Sequence, residues 1–137
     1  MNEQRVAKGP FQVTRLAVPT AFEKASLGRH SLDKVFSGDL EATSLGEMIS
    51  AGGSVPGSAG YVAMERVTGT LHGRSGMFVL QHSATMNRGD SRAEISVVPD
   101  SASGELRGLS GKMIISVASD GTHSYEFDFR LEAREQA

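Results

Sequence analysis

Tyr125-Glu126-Phe127-Asp128-Phe129-Arg130-Leu131-Glu132 alternates apolar and charged residues without a break. Side chains of a β-strand point to opposite faces in turn, so this period of two makes a strand with one dry face and one wet face. Ala93-Glu94-Ile95-Ser96-Val97 repeats the pattern, and Phe11-Gln12-Val13-Thr14 repeats it over a shorter span. No apolar series recurs at i, i+3, i+4 and i+7 for more than about a turn, which excludes an amphipathic helix of any length. Thr20-Ala21-Phe22-Glu23 has capping-box spacing, but the stretch from Thr20 to Leu27 reads better as a loop.

Turn chemistry divides the rest of the chain. His72-Gly73-Arg74-Ser75, Asn87-Arg88-Gly89-Asp90 and Ser119-Asp120-Gly121-Thr122 each separate two strand-like runs. The predicted strands are residues 9–16, 29–37, 39–49, 59–72, 75–87, 90–99, 111–119 and 123–133. Residues 29–49 are either two strands divided at Gly38 or one strand bent there. The Gly-rich segment from Ser50 to Ser58 is a candidate mobile flap, and residues 99–110 form a second irregular link. Eight sequential strands with hairpin-length connections predict an all-β fold, a single closed antiparallel meander barrel of about eight strands. Closure removes the open edges that would invite aggregation.

The 137 residues make one domain, 1–137, with residues 1–8 expected to be flexible. Cysteine is absent, so disulfides, thiolate metal sites and cysteine nucleophiles are excluded. The first eight residues carry no apolar signal segment and no apolar run approaches the ~20 residues of a membrane-spanning helix, so the expectation is a cytoplasmic protein without a membrane partner. The formal net charge is −2, with both signs dispersed along the chain. Nucleic-acid binding, which needs a basic stripe, is not expected.

Hairpin register assigns the faces. An even-numbered loop at 72–75 places Tyr61 opposite Met86, Ala63 opposite Ala84, Val67 opposite Leu80 and Gly69 opposite Phe78. The same rule at 87–90 places Ala93, Ile95 and Val97 opposite Ala84, His82 and Leu80. Both hairpins select one dry face, and a one-residue slip would mix the faces. One direct pair on that face is polar: Glu65 opposite His82. A carboxylate and an imidazole so placed can hydrogen-bond, and burial of either alone would cost several kcal/mol. The pair is the candidate catalytic centre, an acid–base couple for proton transfer. The competing reading is a satisfied buried pair that holds register.

Phe36-Ser37-Gly38-Asp39-Leu40-Glu41, the run from Met64-Glu65-Arg66-Val67-Thr68-Gly69-Thr70-Leu71-His72-Gly73-Arg74-Ser75 to Gln81-His82, and Ser103-Gly104-Glu105-Leu106-Arg107-Gly108 with Leu109-Ser110-Gly111 carry a resemblance. From about residue 30 onward the chain resembles a bacterial domain-of-unknown-function family of small proteins related to the allene oxide cyclase barrel, a fold shared with plant dirigent proteins. The resemblance implies an eight-stranded antiparallel barrel with an apolar cavity, often oligomeric. It implies no reaction.

Three functions follow as expectations. The first is binding of a small apolar or amphipathic molecule in a cavity lined by Tyr61, Val67, Phe78, Leu80, Ile95, Phe127 and Phe129. The second is an isomerase- or cyclase-like enzyme that uses Glu65 and His82. The third is a homo-oligomeric structural protein with a filled barrel. No cofactor is implied. His30, His72, His82 and His123 come from separate segments without local ligand spacing, so no metal is expected. No Gly-rich segment opens a helix as a phosphate loop does.

Overall fold

The computed structural model describes residues 2–132. Eight long strands close into an antiparallel meander: β1 (Asn2–Ala17), β2 (Gly28–Phe36), β3 (Leu40–Gly52), β4 (Ala59–Leu71), β5 (Arg74–Asn87), β6 (Asp90–Val97), β8 (Ser110–Val117) and β9 (His123–Glu132). Each pairs with its neighbours in chain order, and β9 returns to β1. A short β7 (Ser103–Gly104) adds to β5 at Gly76 and Met77.

Closure depends on strands that serve two partners along their length. β1 pairs with β9 from Asn2 to Phe11 and with β2 from Phe11 to Ala17. The segment expected to be flexible, residues 1–8, is therefore paired from Asn2 onward. Its charges explain the fit: Lys8 lies opposite Glu126 on the wet face, 3.3 Å from its carboxylate, while Ala7 points inward and is fully buried. Met1, and residue 133 at the expected end of the last strand, lie outside the described residues.

The segment 29–49 is two strands. Gly38, at φ 91°, makes the turn between β2 and β3, and a Cβ there would stand 2.7 Å from Lys8 O. The Tyr125 hydroxyl holds that turn: it donates to Ser37 O at 2.7 Å and accepts from Leu40 N–H at 2.8 Å. The 20–27 link stays a loop apart from one 3-10 turn at Glu23–Ala25. The 50–58 segment is not a free flap. Gly89 N–H donates to Gly57 O at 2.9 Å and Arg88 N–H to Ser58 Oγ at 3.0 Å, which ties it to the β5–β6 turn.

One register differs from expectation. Leu71 pairs with Arg74, so the β4–β5 loop is only His72-Gly73, and Glu65 stands opposite Leu80 while His82 stands opposite Ala63. Both loop residues adopt positive φ, 48° and 80°, the conformation of the tight hairpin turn that matches strand twist. The shift from the expected pairing is two residues. Because side chains alternate with period two, every residue keeps its face. At the β5–β6 turn the pairing is as expected, with Leu80, His82 and Ala84 opposite Val97, Ile95 and Ala93.

Inward residues fill one half of the barrel and leave the other half open. The packed half holds Phe36, Leu40, Leu71, Phe78, Leu80, Phe127 and Phe129, with Phe127 stacked between Phe78 and Phe129 at centroid separations of 5.8 and 5.3 Å. Leu106 and Leu109, from the link between β6 and β8, are buried and cap that end. Burial of each such side chain contributes about 1.5–3 kcal/mol. Outward positions of β9 carry Glu126, Asp128 and Arg130, the reverse of the apolar exterior that a membrane-spanning barrel presents. No helix among the described residues is long and apolar enough to cross a membrane.

Candidate functional site

The open half of the barrel is a cup. Its wide part has a volume of about 820 Å3 and lies between the ends of β1, β2, β3, β4, β5, β6 and β8. A deeper chamber of about 410 Å3 shares Arg15, Met48, Tyr61 and Ile115 with it and reaches Lys34 and His82. Cavities that hold small organic ligands span about 300–1,000 Å3.

The floor is polar. Lys34 on β2, Ser44 on β3, Glu65 on β4 and His82 on β5 are the buried polar side chains of the described core, one from each of four adjacent strands. Glu65 is the hub: Lys34 Nζ donates to Oε2 at 2.8 Å and Ser44 Oγ donates to Oε1 at 2.8 Å. His82 Nε2 lies 2.5 Å from Oε2. Glu65 and His82 thus meet on the diagonal, within reach of long side chains across an antiparallel pair.

Close approach of the β3 and β4 backbones at this point depends on Gly46, directly opposite Glu65. A Cβ there would stand 2.2 Å from Met64 O and 2.7 Å from Glu65 Cβ. Burial pushes the Glu65 pKa up, but His82 and Lys34 outweigh it and hold the group at about 2. Glu65 is therefore an anion at neutral pH, with both oxygens engaged. Lys34 Nζ also sits over the Phe11 ring, 5.3 Å from its centroid, which adds a cation–π contact.

The residues expected to line a cavity separate into two groups. Tyr61 and Ile95 are in the wall of the cup. Val67, Phe78, Leu80, Phe127 and Phe129 are on the same inner face but lie in the packed half, at most 1% exposed. All seven share the dry face, but local alternation carries no information about where along the barrel axis the packing stops. Sequence reasoning missed Lys34, Ser44 and Arg15, and it weighed His30 only as a metal ligand and not as part of the cavity wall. Lys34 did leave a signal, for it is in phase with Leu32 and Phe36, both buried.

The four histidines do not converge. His72 packs tilted against Phe129 at the closed end, at 5.5 Å, whereas His82 and His123 line the deep chamber and His30 lines the wide one. Among the described residues no group of three or more His, Asp or Glu is placed to hold a metal ion. Tyr61 is half-buried in the wall. Burial and the Glu65 charge raise its pKa, against a smaller opposing effect of Arg15.

The cup has a lateral slot as well as an open end. β6 and β8 pair only at Ile95 with Met113 and Ser96 with Lys112. Beyond these pairs the two strands diverge, and Arg92 and Ile114, on outward positions, join the cavity lining.

A closed antiparallel meander with one packed half and one open, ligand-sized half is the class of protein this architecture defines. The chain belongs to DUF3224, a family described as proteins of unknown function, which it matches over residues 7–129. It is similar to the crystal structure of a DUF3224-family protein of unknown function from Shewanella oneidensis MR-1. The two are 47% identical with a TM-score of 0.90, over 96% of this chain and 100% of that one. Among curated proteins none matches the chain.

Proposed function

We propose that this barrel binds a small apolar or amphipathic molecule in its open half. The observation that carries the reading is the two-chambered cavity, about 820 and 410 Å3, walled by Met48, Tyr61, Ile95, Met113 and Ile115. An apolar concavity of that size in an otherwise packed barrel offers contact surface that an apolar ligand would cover, and this favours a ligand. The resemblance to the allene oxide cyclase barrel supports the reading through architecture alone.

The floor geometry favours binding over catalysis by Glu65 and His82. A carboxylate with a pKa of about 2 has no proton to donate at neutral pH and is a weak base. Glu65 is also fully buried beneath the chambers and does not line them.

The test is titration with N-phenyl-1-naphthylamine, a neutral dye that brightens in apolar sites. Saturable binding is expected, with loss of affinity in Ala84→Phe, which fills the wall of the cup. An unchanged affinity in Ala84→Phe would place the dye elsewhere and end this reading.

A second reading, self-association, is favoured by the outer surface of β3 and β4. Leu45 is 70% exposed there, beside exposed Ile49, Val62 and Met64. Such apolar strips mark interfaces. Light scattering after chromatography tests it: an oligomer that dissociates in Leu45→Glu/Met64→Glu is expected, and a monomeric wild type would refute it.

A further inference from the structure

The two sides of the cup differ in chemistry. On β5, β6 and β8 the wall is aliphatic: Ala84, Met86, Ile95, Met113, Ile115 and Val117. On β1 and β2 it is basic, with Arg15 and His30 near the mouth and Lys34 at depth. His123 and His82 add two more imidazoles to the deep chamber. No Asp or Glu lines either chamber, although the chain as a whole carries a net charge of −2.

These groups differ in how far they are already satisfied. The Lys34 charge is matched by Glu65. Arg15 is exposed to the cavity and its side chain makes no hydrogen bond or ion pair among the described residues. His30 Nδ1, on the diagonal from Arg15 across the β1–β2 pairing, is buried without a partner. The Arg15 guanidinium therefore leaves donor capacity facing a ligand-sized space. A planar anion offers the acceptors that a guanidinium fork matches.

We propose that the ligand is an amphipathic organic carboxylate, its head held by Arg15 beside His30 and its apolar body laid against the β5–β6–β8 wall. The proposal rests on the cavity reading above and adds the sign of the ligand's charge. Decylammonium is disfavoured by the same wall, since no lining carboxylate receives it. Decan-1-ol satisfies the aliphatic side only.

Calorimetric titration with decanoate, decan-1-ol and decylammonium tests this on the full chain. Decanoate is expected to bind about tenfold more tightly than decan-1-ol, the increment of a charge-assisted hydrogen bond, and decylammonium weakest of the three. Arg15→Met should bring decanoate down to the affinity of decan-1-ol and leave decan-1-ol unchanged, and Arg15→Lys should restore part of the difference. A thermal melt confirms that each variant folds. Equal affinity for decanoate and decan-1-ol, or an Arg15→Met variant with undiminished decanoate binding, would overturn the anion assignment. The cavity reading survives that result if N-phenyl-1-naphthylamine still binds and Ala84→Phe still excludes it. Failure of every probe, the dye included, would overturn both.

Discussion

Lys34 Nζ and Glu65 Oε2 lie 2.8 Å apart inside the barrel, with side chains 6% and 0% exposed. The two charges are largely removed from water and offset each other, and the carboxylate is held further by Ser44 and His82. The pair joins β2 to β4 across β3, and it sets the depth at which the cup ends.

Lys34→Met therefore leaves a buried carboxylate short of its main countercharge. A loss of about 3–5 kcal/mol is expected in urea denaturation, as for other broken buried pairs. Lys34→Met/Glu65→Leu should recover most of it, because an apolar replacement of a whole buried pair is often close to neutral. A double variant as unstable as the single one would contradict the view that the cost lies in the orphaned charge.

Glu65 also couples stability to pH. Its folded pKa, about 2, is below the ordinary value of 4.5, so the unfolded chain takes up the proton first on acidification. Stability from this group is complete above pH 4.5 and is lost as the pH falls from there through 2. The contribution amounts to roughly 3 kcal/mol at neutral pH. Urea midpoints between pH 6 and pH 2 measure it, and Glu65→Gln should flatten the slope in that window while lowering stability at pH 6.

Gly46→Ala tests the close approach of β3 to β4 at Glu65. The added Cβ would meet the Met64 carbonyl oxygen at 2.2 Å, and backbone rather than a flexible tip would have to move. A destabilisation of about 1–3 kcal/mol is expected. Gly52→Ala, where a Cβ meets nothing within 4 Å, is the control and should be close to neutral.

Tyr125→Phe removes the hydroxyl that joins Ser37 O to Leu40 N–H. The Leu40 amide is then left buried without its acceptor, which costs about 1–3 kcal/mol. The effect should appear in the urea midpoint with dye binding in the cup intact, since the tyrosine hydroxyl serves the closed end. Loss of dye affinity alongside stability would contradict that division of the barrel.

Much of this protein was settled by local alternation. Tyr125 to Glu132 assigns its own faces, and the turn residues at 72–75, 87–90 and 119–122 place the strand ends. Since the pleat repeats every two residues, even a register error of two left Glu65 and His82 on the inner face. Three matters were decided only when the barrel closed. β1 is long because its first half pairs with β9, more than a hundred residues away, and no local pattern in residues 2–8 announces that partner. Glu65 gained Lys34 and Ser44 from strands 31 and 21 residues earlier in the chain, neighbours that strand order alone makes close. The point along the axis where packing gives way to a cup depends on side-chain volumes summed around eight strands. Alternation says which way each side chain points, while the cavity is the space that all of them together fail to fill.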